Sequence, residues 1–345
     1  MTFPGQPFVT VQSLDMRASL DMSLGTNPRR RNMNIMTPMR ITLIIACTMQ
    51  LSCGHREESA ITPSVVKITA TYNPETNEHL FVTDVDEIPS GWTTFRLINA
   101  SPAVHFLVLE LLPGAKSVEN SVSEVVPVFQ QAMDLISGGQ VEDGFAKLAD
   151  LPKWFGDVRF MGGPGLVSPG RSSEATVHLE PGNYVMECYI KTAEGKFHSA
   201  LGMIRGLTVT QERSEAAPPS QVSLRMRLTN EGFGVHGEVS SGRHTIEVRF
   251  AEEKPPFLGN DVHLVQLGED ANLEKLATWM DWSQPGGMVS DHGTAAPFQF
   301  MGGTHEMPMG STAYFTVELT PGRYAWVSER SAQDPLYEEF TVAAR

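Results

Sequence analysis

Four side chains of types that bind copper lie in two stretches of the chain. Cys188, His198 and Met203 lie within residues 181–210 with the spacing C-x9-H-x4-M, and the tetrapeptide PGNY precedes the cysteine by four residues. A further histidine, His105, lies in NASPAVHFLVLEL, where alternating apolar residues indicate a strand. Two imidazoles, one thiolate and a weakly held thioether are the ligand set of a type 1 (blue) copper site. The sequence therefore predicts one copper ion bound by these four residues, with Met203 axial.

Each of these residues also has an ordinary explanation when taken alone. A lone histidine at the start of a strand, such as His105, is often a hydrogen-bonded, partly buried imidazole. Cys188 alone would be a small core residue, and Met203 alone would be core packing. Their order along the chain favours the copper site, and a domain that keeps the fold without binding copper is the alternative.

The Cys, His and Met residues, with PGNY before them and HSALGM at the end, resemble the carboxy-terminal ligand loop of the cupredoxin family. That resemblance implies an all-β fold of Greek-key sandwiches with short helical insertions. It also implies that Cys188 ends one strand, that the loop carries the other two ligands, and that His105 enters from an adjacent strand. The implied activity is one-electron transfer to a redox partner protein. A hydrophobic surface near His198, including Phe197, would be the electron exit.

The ligand loop differs from that of the small electron carriers, which is shorter. Nine residues separate Cys188 from His198, and a loop of this length is similar to that of two-domain copper enzymes, notably copper nitrite reductase. In that enzyme a histidine directly before the cysteine, and another five residues after the first ligand histidine, hold a second, catalytic copper. Glu187 and Glu110 stand at these positions here. Multicopper oxidases have paired HxH motifs, which this sequence lacks, so a redox enzyme is not expected.

An internal repeat divides the chain. MGG at 161–163 and PGNY at 181–184 recur as MGG at 301–303 and PGRY at 321–324, an offset of 140 residues in both cases. His263 in DVHLVQL repeats His105, whereas Ser328 stands where the first half has Cys188. We therefore expect a copper-binding domain at 63–210, a Pro-rich linker at 211–221, and a second domain at 222–345 that has lost the ligands and serves as scaffold or docking surface.

Helical patterns interrupt the strands in both halves. Residues 118–136 and 140–150 are predicted to be helices, with Pro127 kinking or splitting the first, and ANLEKLATWMDW is a shorter helix in the second half. The glycines of MGGPG are interpreted as structural turn residues. His305, Met307 and Met309 alternate in a way that could bind Cu(I), but we favour a turn between two strands.

The first 53 residues have the pattern of a leader. Residues 1–35 are polar and rich in Met, and translation from Met36 or Met39 would leave them out. In residues 36–53, Arg40 precedes a short apolar run that ends in Leu-Ser-Cys-Gly, which predicts an export signal and resembles a bacterial lipoprotein site with Cys53 lipidated. Gln50 departs from that pattern, and Cys47 fits it locally but leaves a very short apolar run. Residues 54–62 would then be a tether to a membrane, and the protein would be periplasmic or anchored to the outer membrane.

Cysteine usage and charge limit the remaining functions. With Cys47 and Cys53 in the leader, Cys188 is the one thiol of the globular part, so no internal disulfide is expected. A formal net charge of −14 argues against nucleic acid or an anionic membrane surface as partner. The alternative function, from a different class, is a metal-free surface lipoprotein that binds proteins or glycans.

Overall fold

The computed structural model describes residues 62–252, 260–290 and 298–344. Strands make up most of the ordered structure. The strands are β1 (Ser64–Asn73), β2 (Glu78–Val82), β3 (Glu87–Asn99), β4 (Val108–Leu111), β5 (Arg159–Phe160), β6 (Ser172–Leu179), β7 (Gly182–Glu187), β8 (Ile204–Arg213), β9 (Leu224–Leu228), β10 (Phe233–His236), β11 (Gly242–Phe250), β12 (Val262–Leu267), β13 (Phe298–Thr304), β14 (Thr312–Leu319), β15 (Gly322–Ser328) and β16 (Leu336–Val342).

Helices are confined to the connections. A short helix, α1 (Val118–Asn120), continues through a π-helical turn at Ser121–Val125 into α2 (Val126–Ser137), and α3 (Val141–Lys147) and α4 (Leu273–Trp279) follow. Pro127 lies in the first turn of α2, directly after the π turn, so the predicted interruption is present. Single 3₁₀ turns span Leu148–Asp150, Lys153–Asp157 and Ser199–Leu201.

The long strand β3 joins the two layers of the first half. Its first residues pair in parallel with β8, and from Gly91 onward it pairs with β6 and, in parallel, with β1. The register shifts between Pro89 and Ser90, and Gly91 has φ 117°, so the strand turns a corner at this bulge. Beyond β8 the sheet continues through β7 and β4 to β5, which places the ends of β4 and β7 beside the predicted ligands.

The second half has strands of matching position. β6 and β14 both span eight residues, and their bounds differ by 140. β14 pairs antiparallel with β6, which joins the two halves into one sheet, while β13, β12, β15 and β16 form a second sheet. The prediction of an all-β fold with short helical insertions is confirmed.

The hydrophobic core follows the alternation of the strands. In β1, for example, Val66, Ile68 and Ala70 are buried while their neighbours face outward or are half-buried. The predicted leader, including Cys53, and the predicted tether up to residue 61 lie outside the described residues. Among the described residues no helix is long and apolar enough to cross a membrane. The proposed domain boundaries stay a prediction.

Candidate metal centre

His105 is fixed by a hydrogen-bonded turn that follows β3. Its backbone exchanges hydrogen bonds with Val167, at 3.2 Å from its own N–H and 2.8 Å to its carbonyl. The Asn99 side chain holds the turn by donating to the carbonyls of Ala103 and Val167 at 2.7 and 2.9 Å. The ring of His105 is fully buried, and its Nε2 lies 2.8 Å from the Ser101 hydroxyl. That contact leaves Nδ1 pointing away, toward Cys188.

The other three predicted ligands lie on one folded loop. Cys188 follows directly after β7, and its N–H donates to the Met203 carbonyl at 3.1 Å. The N–H of Met203 donates to the His198 carbonyl at 2.8 Å, and the N–H of His198 donates to the Ile190 carbonyl at 2.7 Å. All three ligand side chains are fully buried. The backbone of the loop therefore holds cysteine, histidine and methionine close to one another.

The length of this loop is explained by a small hairpin. Lys191 and Phe197 form a bridge, and the residues between them turn at Gly195, which has φ 77°. The hairpin brings Ile190 next to His198, so the extra residues project from the ligand loop without separating its ends. The long spacing between Cys188 and His198 is thus compatible with a compact site.

Three of the predicted donors converge on one point. The Nδ1 atoms of His105 and His198 are 3.2 Å apart, and the Cys188 Sγ lies 3.6 and 4.0 Å from them. A point equidistant from the three atoms lies about 2.1 Å from each, which is the length of bonds between first-row metals and protein ligands. Met203 is buried beside them, so the structure brings all four predicted residues into one His–His–Cys–Met cluster.

Burial determines the protonation of the thiol at this cluster. Removal from water raises the pKa of Cys188 to about 12, because the charged thiolate loses its hydration; hydrogen bonds from the backbone of Phe106 and Ile190 act weakly against this. The thiolate would therefore form only with a cation beside it. The donor set fits a metal ion in this respect as well as in its geometry.

Sequence reasoning missed a third histidine at this cluster. His79 in β2 is fully buried, and its ring stacks on His198 with centroids 3.8 Å apart and an interplanar angle of 12°. One ring nitrogen of each of His79, His105 and His198 lies within 4.8 Å of the other two. The alternation of Glu78–Val82 was the available signal, because it places His79 on the inward face with Phe81.

The prediction that Phe197 forms part of an exposed hydrophobic surface near His198 is wrong. Phe197 is only 3% exposed, and it packs on Met133 and Ile136 of α2 with Trp282 against the same cluster. Its N–H donates to the Gln130 side chain at 2.9 Å, which fixes α2 over the loop. The helical insertion covers this side of the cluster, so the ring of Phe197 is not part of the protein surface.

Glu110 and Glu187 lie side by side on β4 and β7. In the pairing of these strands Val108 faces Glu187 and Glu110 faces Val185, so the two glutamates are diagonal neighbours whose carboxyls hydrogen-bond to each other. Burial raises the pKa of Glu110 well above its usual range, and the charge of Glu187 adds to the rise. Burial also raises the pKa of Glu187, although hydrogen bonds from Glu110 and Ser199 oppose it. The pair therefore retains a proton.

In the second half, the counterparts of His105 and Cys188 make hydrogen bonds. His263 accepts at Nδ1 from the N–H of Leu166 at 3.1 Å and donates from Nε2 to Asp261 at 3.0 Å. Ser328 donates its hydroxyl to Asp261 at 2.7 Å. Both ring nitrogens of His263 are hydrogen-bonded. His263 is therefore a structural buried imidazole, the ordinary explanation that was weighed above for His105.

The segment from His305 to Met309 lies between β13 and β14, as favoured from the sequence. Its alternate side chains do not converge: His305 and Met307 are 1% and 7% exposed, whereas Met309 is 62% exposed. The sulfur of Met307 packs against Gly162. The three residues therefore do not form a common Cu(I) site.

No protein-family model and no curated protein matches the chain. Among solved structures, a multicopper oxidase is 12% identical over 81% of this chain and 88% of its own length, with a TM-score of 0.23. Auracyanin from Roseiflexus castenholzii is 21% identical over 44% of this chain and 98% of its own, with a TM-score of 0.24. A copper-containing nitrite reductase from Thermus scotoductus is 9% identical over 81% of this chain and 62% of its own, with a TM-score of 0.24. These values assign neither a family nor a function, so the case for copper depends on the cluster itself.

Proposed function

We propose that the protein is a cupredoxin-like copper protein that transfers one electron at a time. Copper would be bound by the Nδ1 atoms of His105 and His198 and the thiolate of Cys188, with Met203 as a weak axial ligand. The observation that carries this proposal is the triangle of three buried donor atoms, with sides of 3.2, 3.6 and 4.0 Å. Two imidazoles and a thiolate in trigonal arrangement are the donor set of blue-copper electron-transfer sites.

Contacts from neighbouring residues hold the proposed ligands in position. Ser101 fixes the ring of His105 through Nε2, and such partners of metal-binding histidines set ring orientation and ligand strength. His79 covers the ring of His198, and the ligand loop is tied by its own backbone hydrogen bonds. When bound, copper supplies a couple between Cu(I) and Cu(II). Buried, fixed donors keep water away and limit the rearrangement that a change of charge would cause.

The cellular setting belongs to the same proposal. We infer that residues 36–53 direct export and that Cys53 is lipidated, which would anchor the protein to a membrane in the periplasm or at the outer membrane. Its redox partner would be another protein, and the net charge of −14 favours a basic docking surface on that partner. The second half would serve as scaffold or docking surface.

A Cu(II) titration tests the copper site. The purified protein is expected to develop an intense thiolate-to-copper absorption band and a type 1 EPR spectrum that saturate at one equivalent. Cys188→Ser should abolish the band because the thiolate is its source, and Met309→Leu, an exposed methionine, should leave it unchanged. A colourless protein with weak binding that does not depend on Cys188 would overturn the proposal and favour the metal-free binding protein.

A further inference from the structure

A cavity of about 80 Å³ lies where the two halves meet, and we call it the interface cavity. It has room for several water molecules. Five carboxylates contribute to its lining, two from the first half and three from the second, and they are Glu110, Glu187, Asp261, Glu306 and Glu329. Buried carboxylates are costly unless protonated, paired or bound to a cation. Asp261 and Glu329 are both buried, so a cation beside them would reduce this cost.

His305 lines the interface cavity and is the unusual member of this group. Its side chain is 1% exposed, and its Nε2 has no hydrogen-bond partner among the described residues. Its ring is held by Phe106 and His263, with centroids 4.4 and 5.1 Å away. A buried imidazole nitrogen without a partner loses a hydrogen bond that water would provide. A ligand in the cavity would satisfy this nitrogen.

Asp261 and Glu329 complete a donor set around His305. One donor atom from each of Asp261, His263, His305 and Glu329 lies within 4.8 Å of the other three. Both ring nitrogens of His263 are hydrogen-bonded, one to the N–H of Leu166 and the other to Asp261. His263 therefore orients the carboxylate of Asp261 and does not itself bind a ligand in the cavity. Tyr189 orients Glu329 in a similar way by donating to its Oε2 at 3.0 Å. Partners of this kind commonly fix the ligands of protein metal sites.

We propose that the interface cavity holds a second metal ion, a divalent first-row cation bound by His305 Nε2 and the carboxylates of Asp261 and Glu329. One imidazole and two carboxylates are hard to borderline donors that suit Mn²⁺, Fe²⁺ or Zn²⁺ and disfavour Cu(I). The positive charge would balance the buried carboxylates of the second half. The thiolate at the first cluster is softer, so the two sites select different metals.

Residues that contact the second site are next in sequence to two of the proposed copper ligands. Tyr189, which donates to Glu329, follows Cys188 in sequence, and Phe106, which packs on His305, follows His105. The rings of Phe106 and Tyr189 are themselves in contact, with centroids 4.5 Å apart. An ion in the interface cavity would therefore be held by a shell that is continuous with the first cluster.

The site is tested without relying on copper, in the full chain carrying Cys188→Ser. Mn²⁺ is the probe because it prefers oxygen donors over the imidazoles of the first cluster. Loss of the free Mn²⁺ EPR signal should show one bound equivalent. Glu329→Gln and His305→Gln, each added to Cys188→Ser, should weaken binding at least about tenfold, since each removes one ligand or its charge. His236→Ala, at an exposed histidine, is the control and should bind as the parent does.

The outcomes separate the two proposals. No Mn²⁺ binding by the Cys188→Ser protein, or equal binding by the parent and the Glu329→Gln protein, would overturn the second site and leave the copper site untouched. Glu329→Gln conserves the shape of the side chain and can still accept from Tyr189, so it decides the test if His305→Gln loses its native circular dichroism. A failed Cu(II) titration of the wild-type protein does not change the expected Mn²⁺ result.

Discussion

Ala175 and Phe315, which are 140 residues apart in the sequence, face each other where β6 pairs with β14. On either side Thr176 pairs with Tyr314, and Glu174 pairs with Thr316. The repeat offset equals the separation of Ala175 and Phe315, so corresponding residues of the two halves meet at this pair. The halves are thus related at their junction by a local twofold axis, as two copies are in a symmetric dimer.

The same symmetry recurs at the MGG motifs. The N–H of Gly165 donates to the carbonyl of Gly303 at 3.0 Å, and the N–H of His305 donates to the carbonyl of Gly163 at 3.2 Å. Residues 163 and 303 are 140 apart, and so are residues 165 and 305, so each of these two bonds is the repeat counterpart of the other, with donor and acceptor in opposite halves. The motifs that revealed the repeat in the sequence therefore lie at the contact between the halves.

Substitution of the MGG glycines should destabilise the protein strongly. Gly163 and Gly303 have φ of 121° and 144°, and a Cβ there would lie 2.2 and 2.0 Å from the carbonyl oxygens of Leu107 and Val262. We expect Gly163→Ala and Gly303→Ala each to lower the free energy of unfolding by more than about 2 kcal/mol, since strain and steric conflict combine. Urea denaturation followed by circular dichroism measures the change.

Gly170→Ala is the matched control for this prediction. Gly170 also has a positive φ, 74°, but a Cβ there would meet no atom within 4 Å. Its replacement should cost about 1 kcal/mol, from backbone strain alone. Equal effects at Gly163 and Gly170 would show that close packing of Gly163 against the carbonyl of Leu107 is not what the motif provides.

Much of the strand pattern and three of the four ligands of the metal cluster could be predicted from local sequence. Cys188, His198 and Met203 lie on one loop, so their closeness in the sequence was enough to predict that they are close in space. Pro127 likewise interrupts its helix for a local reason. These features depend on residues that are near one another in the chain.

The features that were missed depend on how distant segments pack. The position of α2 over Phe197 arises from contacts with Gln130 and Met133, which the sequence does not pair with the loop. The proximity of Asp261 to Glu329 depends on the pairing of β12 with β15 within the second half, and the cavity they line depends on the junction of the two halves. His79 lies on a five-residue strand, too short for its alternation to identify a ligand-site histidine.

Ser101→Ala should weaken copper binding without removing it. The Ser101 hydroxyl lies 2.8 Å from His105 Nε2 and fixes the ring, and loss of such a partner typically lowers metal affinity by about 10- to 100-fold. Competition with a copper chelator measures the affinity. Ser290→Ala is the control, because the Ser290 hydroxyl accepts from the backbone N–H of Val104 at 2.8 Å, a bond that does not involve the ring of His105. Equal losses in both variants would attribute the effect to the backbone around His105.

His79→Phe should retain copper and its thiolate band. The triangle of Cys188, His105 and His198 is complete without His79, and a phenyl ring can replace the imidazole in the stack on His198. We expect the affinity for Cu(II) to change by less than about tenfold, whereas His198→Phe should abolish the type 1 spectrum. If His79→Phe also abolishes the spectrum, His79 is a ligand and the site has three imidazoles.

Lys191 should give the metal-free protein a stability that increases with pH in alkaline solution. Its side chain is fully buried, and its Nζ donates to the carbonyls of Trp282 and Gln284 at 2.7 and 2.6 Å. Burial lowers the pKa of Lys191 to about 8, although the charges of Asp281 and Glu329 oppose the change. In the unfolded chain the lysine keeps its ordinary pKa of about 10.4. Between these two values the unfolded chain binds more protons than the folded one, so stability rises with pH.

The size of this effect follows from the two pKa values. A pKa difference of about two units corresponds to roughly 3 kcal/mol in the free energy of unfolding, and this stability is gained between about pH 8 and pH 10.4. Below pH 8 Lys191 is protonated in both states, so it makes the stability neither rise nor fall with pH. Lys191→Met should remove this gain while lowering stability at every pH, because two carbonyls lose their donor. Denaturation of both proteins from pH 7 to 10.5 measures the difference curve, and Lys196→Met controls for loss of a charge at the surface of the same hairpin. A difference curve that is flat or falls with pH would show that Lys191 remains charged in the folded protein, held by its two carbonyl partners throughout the range.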